Sequence, residues 1–80
     1  MNTEAIARIL EILTENNLSE EADTLEDLVV NYFSSSKEDK IIIARKIKDM
    51  CHPKWLGDLY VKSLSISEWY SLLNKLSKSI

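Results

Sequence analysis

Within 80 residues this chain has a single Gly and a single Pro, and both fall in the stretch from Pro53 to Gly57. The tight turns that join short strands draw on Gly, Pro and Asn, because those residues supply the special φ values. A many-stranded sheet therefore has little to turn on, and helices joined by short connections are the expected alternative. The length allows one domain with one core of modest size. A hydrophobic share of 45% beside 29% charged residues is that of a globular chain and not of a disordered one.

Apolar spacing predicts four helices. From Thr3 to about Asn16, the residues Ala5, Ile6, Ile9, Leu10 and Leu13 share one face, and Glu4, Arg8, Glu11 and Glu15 lie opposite. Asn16-Asn17 should stop this helix, with Ser19 capping the next and Glu20-Glu21 meeting its positive end. In that second helix Ala22, Leu25, Leu28, Val29, Tyr32 and Phe33 form the expected core face. Glu20, Asp23 and Asp27 point outward. Ser34-Ser35-Ser36 ends it, and Ser36 with Asp39 resembles a capping box for a third helix that Pro53 terminates near Cys51. Ser65-Ile66-Ser67-Glu68 is a clear capping box for the last helix, with Leu64 placed to staple onto Trp69. Ile66, Trp69, Tyr70, Leu73, Leu76 and Ile80 then keep helical spacing and are expected in the core. The segment between Trp55 and Leu64 reads as a short helix or turn.

Chemistry-bearing residues are sparse. Cys51 and His52 are neighbours, but adjacent helical side chains point about 100° apart, and catalytic Cys–His pairs are assembled by the fold from distant positions. The simpler expectation is a buried Cys and a His at a helix end. One Cys and one His fall short of the four ligands of a structural zinc site, and a single Gly cannot build a phosphate-binding loop. No catalytic, metal or cofactor site is expected. A lone Cys gives no internal disulfide, so a reducing, cytoplasmic setting is the default. No apolar run approaches the roughly 20 residues that a membrane-spanning helix needs, and no signal peptide is visible.

Charge is distributed unevenly. Residues 1 to 36 carry eight acids and one base, a balance of −7, whereas residues 37 to 80 carry five acids and nine bases, a balance of +4; together these give the chain's −3. Two readings follow. The acidic helices pair with the protein's own basic half, or they present Glu11, Glu15, Glu20, Asp23 and Asp27 to a basic partner, such as a nucleic-acid-processing protein. Direct nucleic-acid binding through Lys40, Arg45, Lys46, Lys48 and Lys54 on and after the third helix is the rival, weakened by the net acidity and by the interleaved Asp39 and Asp49.

Two apolar features also need neighbours. Ile41, Ile42 and Ile43 are consecutive, so they cannot all face one core; Ile41 and Ile42 fall outside the arc set by Ile43, Ala44, Ile47, Met50 and Cys51. A homodimer seam, a partner groove or another segment of the same chain would cover them. Trp55, between Pro53 and Gly57, either closes the end of the core as a lid or serves as an interface anchor. The Leu56-Gly57-Asp58-Leu59-Tyr60 stretch resembles segments of small helical proteins of bacteria and their phages, over too few residues to define a family. The resulting expectation is an all-α bundle of four principal helices, with an irregular crossover around residues 52 to 64, forming one domain over residues 1 to 80. Leu28, Ile47 and Leu73 should lie at its centre. The expected function is non-enzymatic: a protein-protein interaction module that occludes or bridges a macromolecular partner, of the inhibitor or toxin-immunity type. A small DNA-binding transcriptional regulator using the third helix is the alternative.

Overall fold

Local capping sets the boundaries of the helices. Asn2 Oδ1 accepts the Ala5 N–H at 3.0 Å and starts α1 (Thr3–Glu15). At the far end the Leu18 N–H donates to the Leu13 carbonyl at 2.8 Å and the Asn17 N–H to the Thr14 carbonyl at 3.2 Å, with Asn17 at φ 59°. This is a Schellman turn with Asn in the left-handed position that Gly usually fills. The chain thereby turns into α2 (Ser19–Ser34) without a glycine. Ser19 is not the cap expected of it: it is the first helical residue, and Leu18 precedes it with no side-chain capping bond. The Schellman turn already fixes Leu18, so the helix starts one residue earlier. Ser35 and Ser36 then link α2 to α3 (Lys37–Met50), where Ser36 Oγ accepts the Asp39 N–H at 3.3 Å.

The computed structural model describes residues 1–62 and 64–80; the described residues contain a fourth helix, α4 (Ile66–Lys78), one 3-10 turn at Leu56–Asp58, and no strand. α4 begins with the full capping box: Ser65 Oγ accepts the Glu68 N–H at 3.2 Å, and Glu68 Oε1 accepts the Ser65 N–H at 3.3 Å. Each helix packs on the next, and α4 returns onto α1, so the four form a closed ring around one core. The expected all-α bundle is the fold observed.

Ile9, Ile12, Leu13, Leu25, Ile47, Met50, Leu56, Trp69, Leu73 and Leu76 are all but inaccessible to solvent and fill the centre. Ile12 lies outside the face read from the sequence. It is covered because α1 packs on both α2 and α4, which widens its buried arc at the expense of Leu10, only half-buried. Leu28 is likewise half-buried, and Phe33 is exposed although both were expected in the core. At 100° per residue they sit about 60° and 80° to either side of Leu25, at the rims of the face, and Phe33 is on the last turn. On α4, Ile66 occupies the first turn and Tyr70 lies about 100° from Trp69. Both are exposed, which corrects their expected core placement.

Hydrogen bonds tie distant parts of the ring. The Asn2 N–H donates to Ser79 Oγ at 2.7 Å, joining the start of α1 to the end of α4. Asn16 donates from Nδ2 to the Ile12 carbonyl at 2.7 Å while its Oδ1 accepts the Lys62 N–H at 2.8 Å, which fastens the crossover to the end of α1.

Candidate partner-binding surface

The unusual stretch around Pro53 is organised by the backbone of His52. Its carbonyl accepts the N–H groups of Trp55 at 2.9 Å and Gly57 at 3.3 Å, and its Nδ1 accepts the Lys54 N–H at 3.2 Å. Leu56 is thereby turned into the core, and its carbonyl accepts the Trp69 Nε1–H at 2.8 Å. Trp55 points the other way and is 50% exposed. The lid over the core is thus Leu56 backed by Trp69, not Trp55. Gly57 has an ordinary negative φ; its role is spatial, since a Cβ there would stand 3.0 Å from Tyr70 Cε1 and 3.3 Å from the His52 carbonyl oxygen. Tyr60, Ile66 and Tyr70 line a cleft of about 360 Å³ between this turn and α4.

Cys51 is buried, and that burial pushes its thiol up to about 11, so the thiolate needed of a nucleophile is scarce at neutral pH. Among the described residues no group of three or more His, Cys, Asp or Glu is placed to hold a metal ion, and no helix is long and apolar enough to cross a membrane.

The expected acidic positions divide into two groups. Glu11 and Glu15 are exposed on α1, and Glu11 accepts from Arg8 Nη1 at 2.9 Å in a surface ion pair. Glu20, Asp23 and Asp27 recur at intervals of three and four residues along the outward face of α2, all exposed. Among the described residues none of these three carboxylates pairs with a cation. Val30 continues the same stripe with 59% of its surface exposed, and Phe33 lies beside it at 56%. Neither was singled out as a surface residue from the sequence. The signal was present in the spacing, because Val30 falls three residues after Asp27 and Phe33 sits at the rim of the apolar arc.

α3 presents an opposite surface. Lys37, Lys40, Arg45 and Lys48 rim a concavity of about 460 Å³ that has no acidic side chain in its lining. Its floor is apolar, made by Tyr32 of α2, Ile41 and Ala44 of α3, and Ile80. Lys40 Nζ stands 5.4 Å from the centre of the Tyr32 ring, a cation–π placement, and Tyr32 in turn meets Phe33 edge-on at 5.4 Å. Ile41 and Ile42 are 63% and 56% exposed, but they do not form one seam. They diverge by about 100° around the helix, so Ile41 lines the concavity while Ile42 lies outside it. Lys46 and Lys54 also lie outside it.

Comparison with known proteins yields no match: no family model fits the chain, and neither a curated protein nor a solved structure resembles it significantly.

Proposed function

We propose that this protein is a non-enzymatic interaction module that binds a basic macromolecular partner through the outward acidic face of α1 and α2 and covers the partner's cationic surface. The observation that carries the reading is the α2 stripe. Glu20, Asp23 and Asp27 are exposed, unneutralised by this protein's own described cations, and run directly into exposed Val30 and Phe33. Carboxylates steer a cationic surface into contact, and the adjoining apolar side chains supply the area whose burial holds it. A protein with cationic nucleic-acid-processing surfaces fits that chemistry, as it would for an inhibitor or immunity-type protein. The buried free thiol suits a reducing compartment such as the cytoplasm. Trp55 and Ile42 are further exposed apolar positions that a large partner could reach.

The test uses proteins that co-purify with the full chain from its native host, identified by mass spectrometry and then measured individually. Asp23→Lys with Asp27→Lys changes two exposed side chains and should leave the melting temperature nearly unchanged, within about 0.5 kcal/mol. Association with the cationic partner should slow and lose its salt sensitivity. A folded double variant that binds the same partner equally well at low salt refutes the reading.

A further inference from the structure

We infer that the cation-rimmed concavity on α3 receives a second copy of this chain, which docks by seating its acidic α2 stripe among Lys37, Lys40, Arg45 and Lys48. This goes beyond the proposed function while sharing the stripe, so self-docking and partner binding compete for one surface.

The lining decides what can sit in the concavity. Four cations with no acidic side chain among them call for an anionic occupant. The floor of Tyr32, Ile41, Ala44 and Ile80 calls for an apolar one, and Ile41 is 63% exposed with nothing over it. A sugar-phosphate backbone satisfies the cations and leaves that floor wet, because phosphate contacts need no apolar base. An amphipathic helix that carries carboxylates beside apolar side chains satisfies both, in the helix-in-groove manner.

The chain itself presents such a helix. Glu20, Asp23, Asp27 and Val30 share the outward stripe of α2, with Phe33 alongside, so three carboxylates adjoin two exposed apolar side chains. The lengths agree as well: Glu20 to Val30 rises about 15 Å along α2, and Lys37 to Lys48 rises about 16 Å along α3. Among the described residues, none of these carboxylates and none of the four cations is engaged in an ion pair within the chain. Each face therefore keeps its charge for an intermolecular contact. Because a shallow concavity buries far less than the roughly 1,200 Å² of a stable interface, the association is weak, reversible and salt-sensitive. The two surfaces differ, so the contact is heterologous; it closes as a dimer where two copies exchange stripes and otherwise extends.

Sedimentation equilibrium of the full chain tests this. At about 10 mM ionic strength the average mass should rise above the monomer with concentration, and at about 0.5 M it should return to the monomer. Asp23→Lys with Asp27→Lys, and separately Arg45→Glu with Lys48→Glu, should each give a monomer with wild-type helicity by circular dichroism. An equimolar mixture of the two variants should associate again, because the stripe reversed in one then meets the rim reversed in the other, while the unaltered stripe meets the unaltered rim. If the glutamates unfold the second variant, Arg45→Gln with Lys48→Gln replaces it and should lower the association at least tenfold. The inference is overturned by a monomer at about 1 mM and low salt, by folded variants that fail to associate when mixed, or by self-association that survives both reversals. A labelled DNA duplex bound through Arg45 and Lys48 by a chain that stays monomeric would assign the concavity to nucleic acid instead. Partner capture by dilute, monomeric protein reads the proposed function separately, so either idea can fail alone.

Discussion

Replacing Trp69 by Phe removes the one indole N–H that ties α4 to the crossover. In the native fold that N–H donates to the Leu56 carbonyl at 2.8 Å, and Trp69 is 1% exposed. The carbonyl keeps a second donor, the Leu59 N–H at 3.2 Å, so it is weakened and not orphaned. The hydrogen-bond loss is then near the middle of the usual range, about 1 kcal/mol. The smaller ring also leaves about 40 Å³ unfilled at a buried site, which adds roughly 1 to 2 kcal/mol. The total is about 2 to 3 kcal/mol, set against a stability of about 4 to 12 kcal/mol for a chain of this length. At about 4 to 8 °C per kcal/mol, the melting temperature should fall by about 10 to 20 °C. Urea titration followed by far-ultraviolet circular dichroism measures this directly, and Trp55 remains as a second, fluorescent reporter. Trp55→Phe, changing a half-exposed side chain, should shift stability by less than about 0.5 kcal/mol. If Trp69→Phe unfolds at the wild-type urea midpoint with the wild-type slope, the crossover is not anchored by this bond and the reasoning fails.

Three further outcomes are expected. Ile47→Ala and Leu73→Ala, at fully covered positions, should each cost about 2 to 5 kcal/mol, whereas half-buried Leu28→Ala should cost less than either by the same denaturation assay. Asn17→Ala should lower stability by about 1 to 2 kcal/mol and Asn17→Gly should keep or raise it, because Asn17 holds a left-handed φ of 59°. Burial lifts the Cys51 thiol from 9.0 to about 11, so the unfolded chain ionises first; stability should fall as pH rises through that window, and Cys51→Ala should flatten the slope of melting temperature against pH there.

Where sequence alone located structure, local chemistry was sufficient. The Ser65–Glu68 box, the Ser36 cap and the Asn16-Asn17 stop each depend on side chains within a few residues, and each stands in the fold. Burial at the rims was another matter. Leu28, Phe33, Ile66 and Tyr70 obey helical spacing, yet their cover depends on where the neighbouring helix ends, and spacing carries no record of that. Ile12 shows the opposite error, because packing on two sides buries more of α1 than one stripe implies. The exposure of Ile41 and Ile42 was legible, since three consecutive Ile cannot share one core. The same 100° step separates them onto different faces. Tyr32 and Ile80 meet at the α3 concavity from opposite halves of the chain, so no local pattern could have joined them.

The closure of α4 onto α1 has a consequence for the order in which the protein is made. Translation makes α1 before α4, and the α4-facing side of α1 has no cover until α4 has emerged. The Asn2–Ser79 bond cannot form before Ser79 has been added. From the completion of α3 at Met50 until α4 is in place, the chain therefore presents an incomplete, apolar three-helix surface to its surroundings. Slowing translation within α4 should lengthen that interval, whereas slowing it within α2 should leave it unchanged.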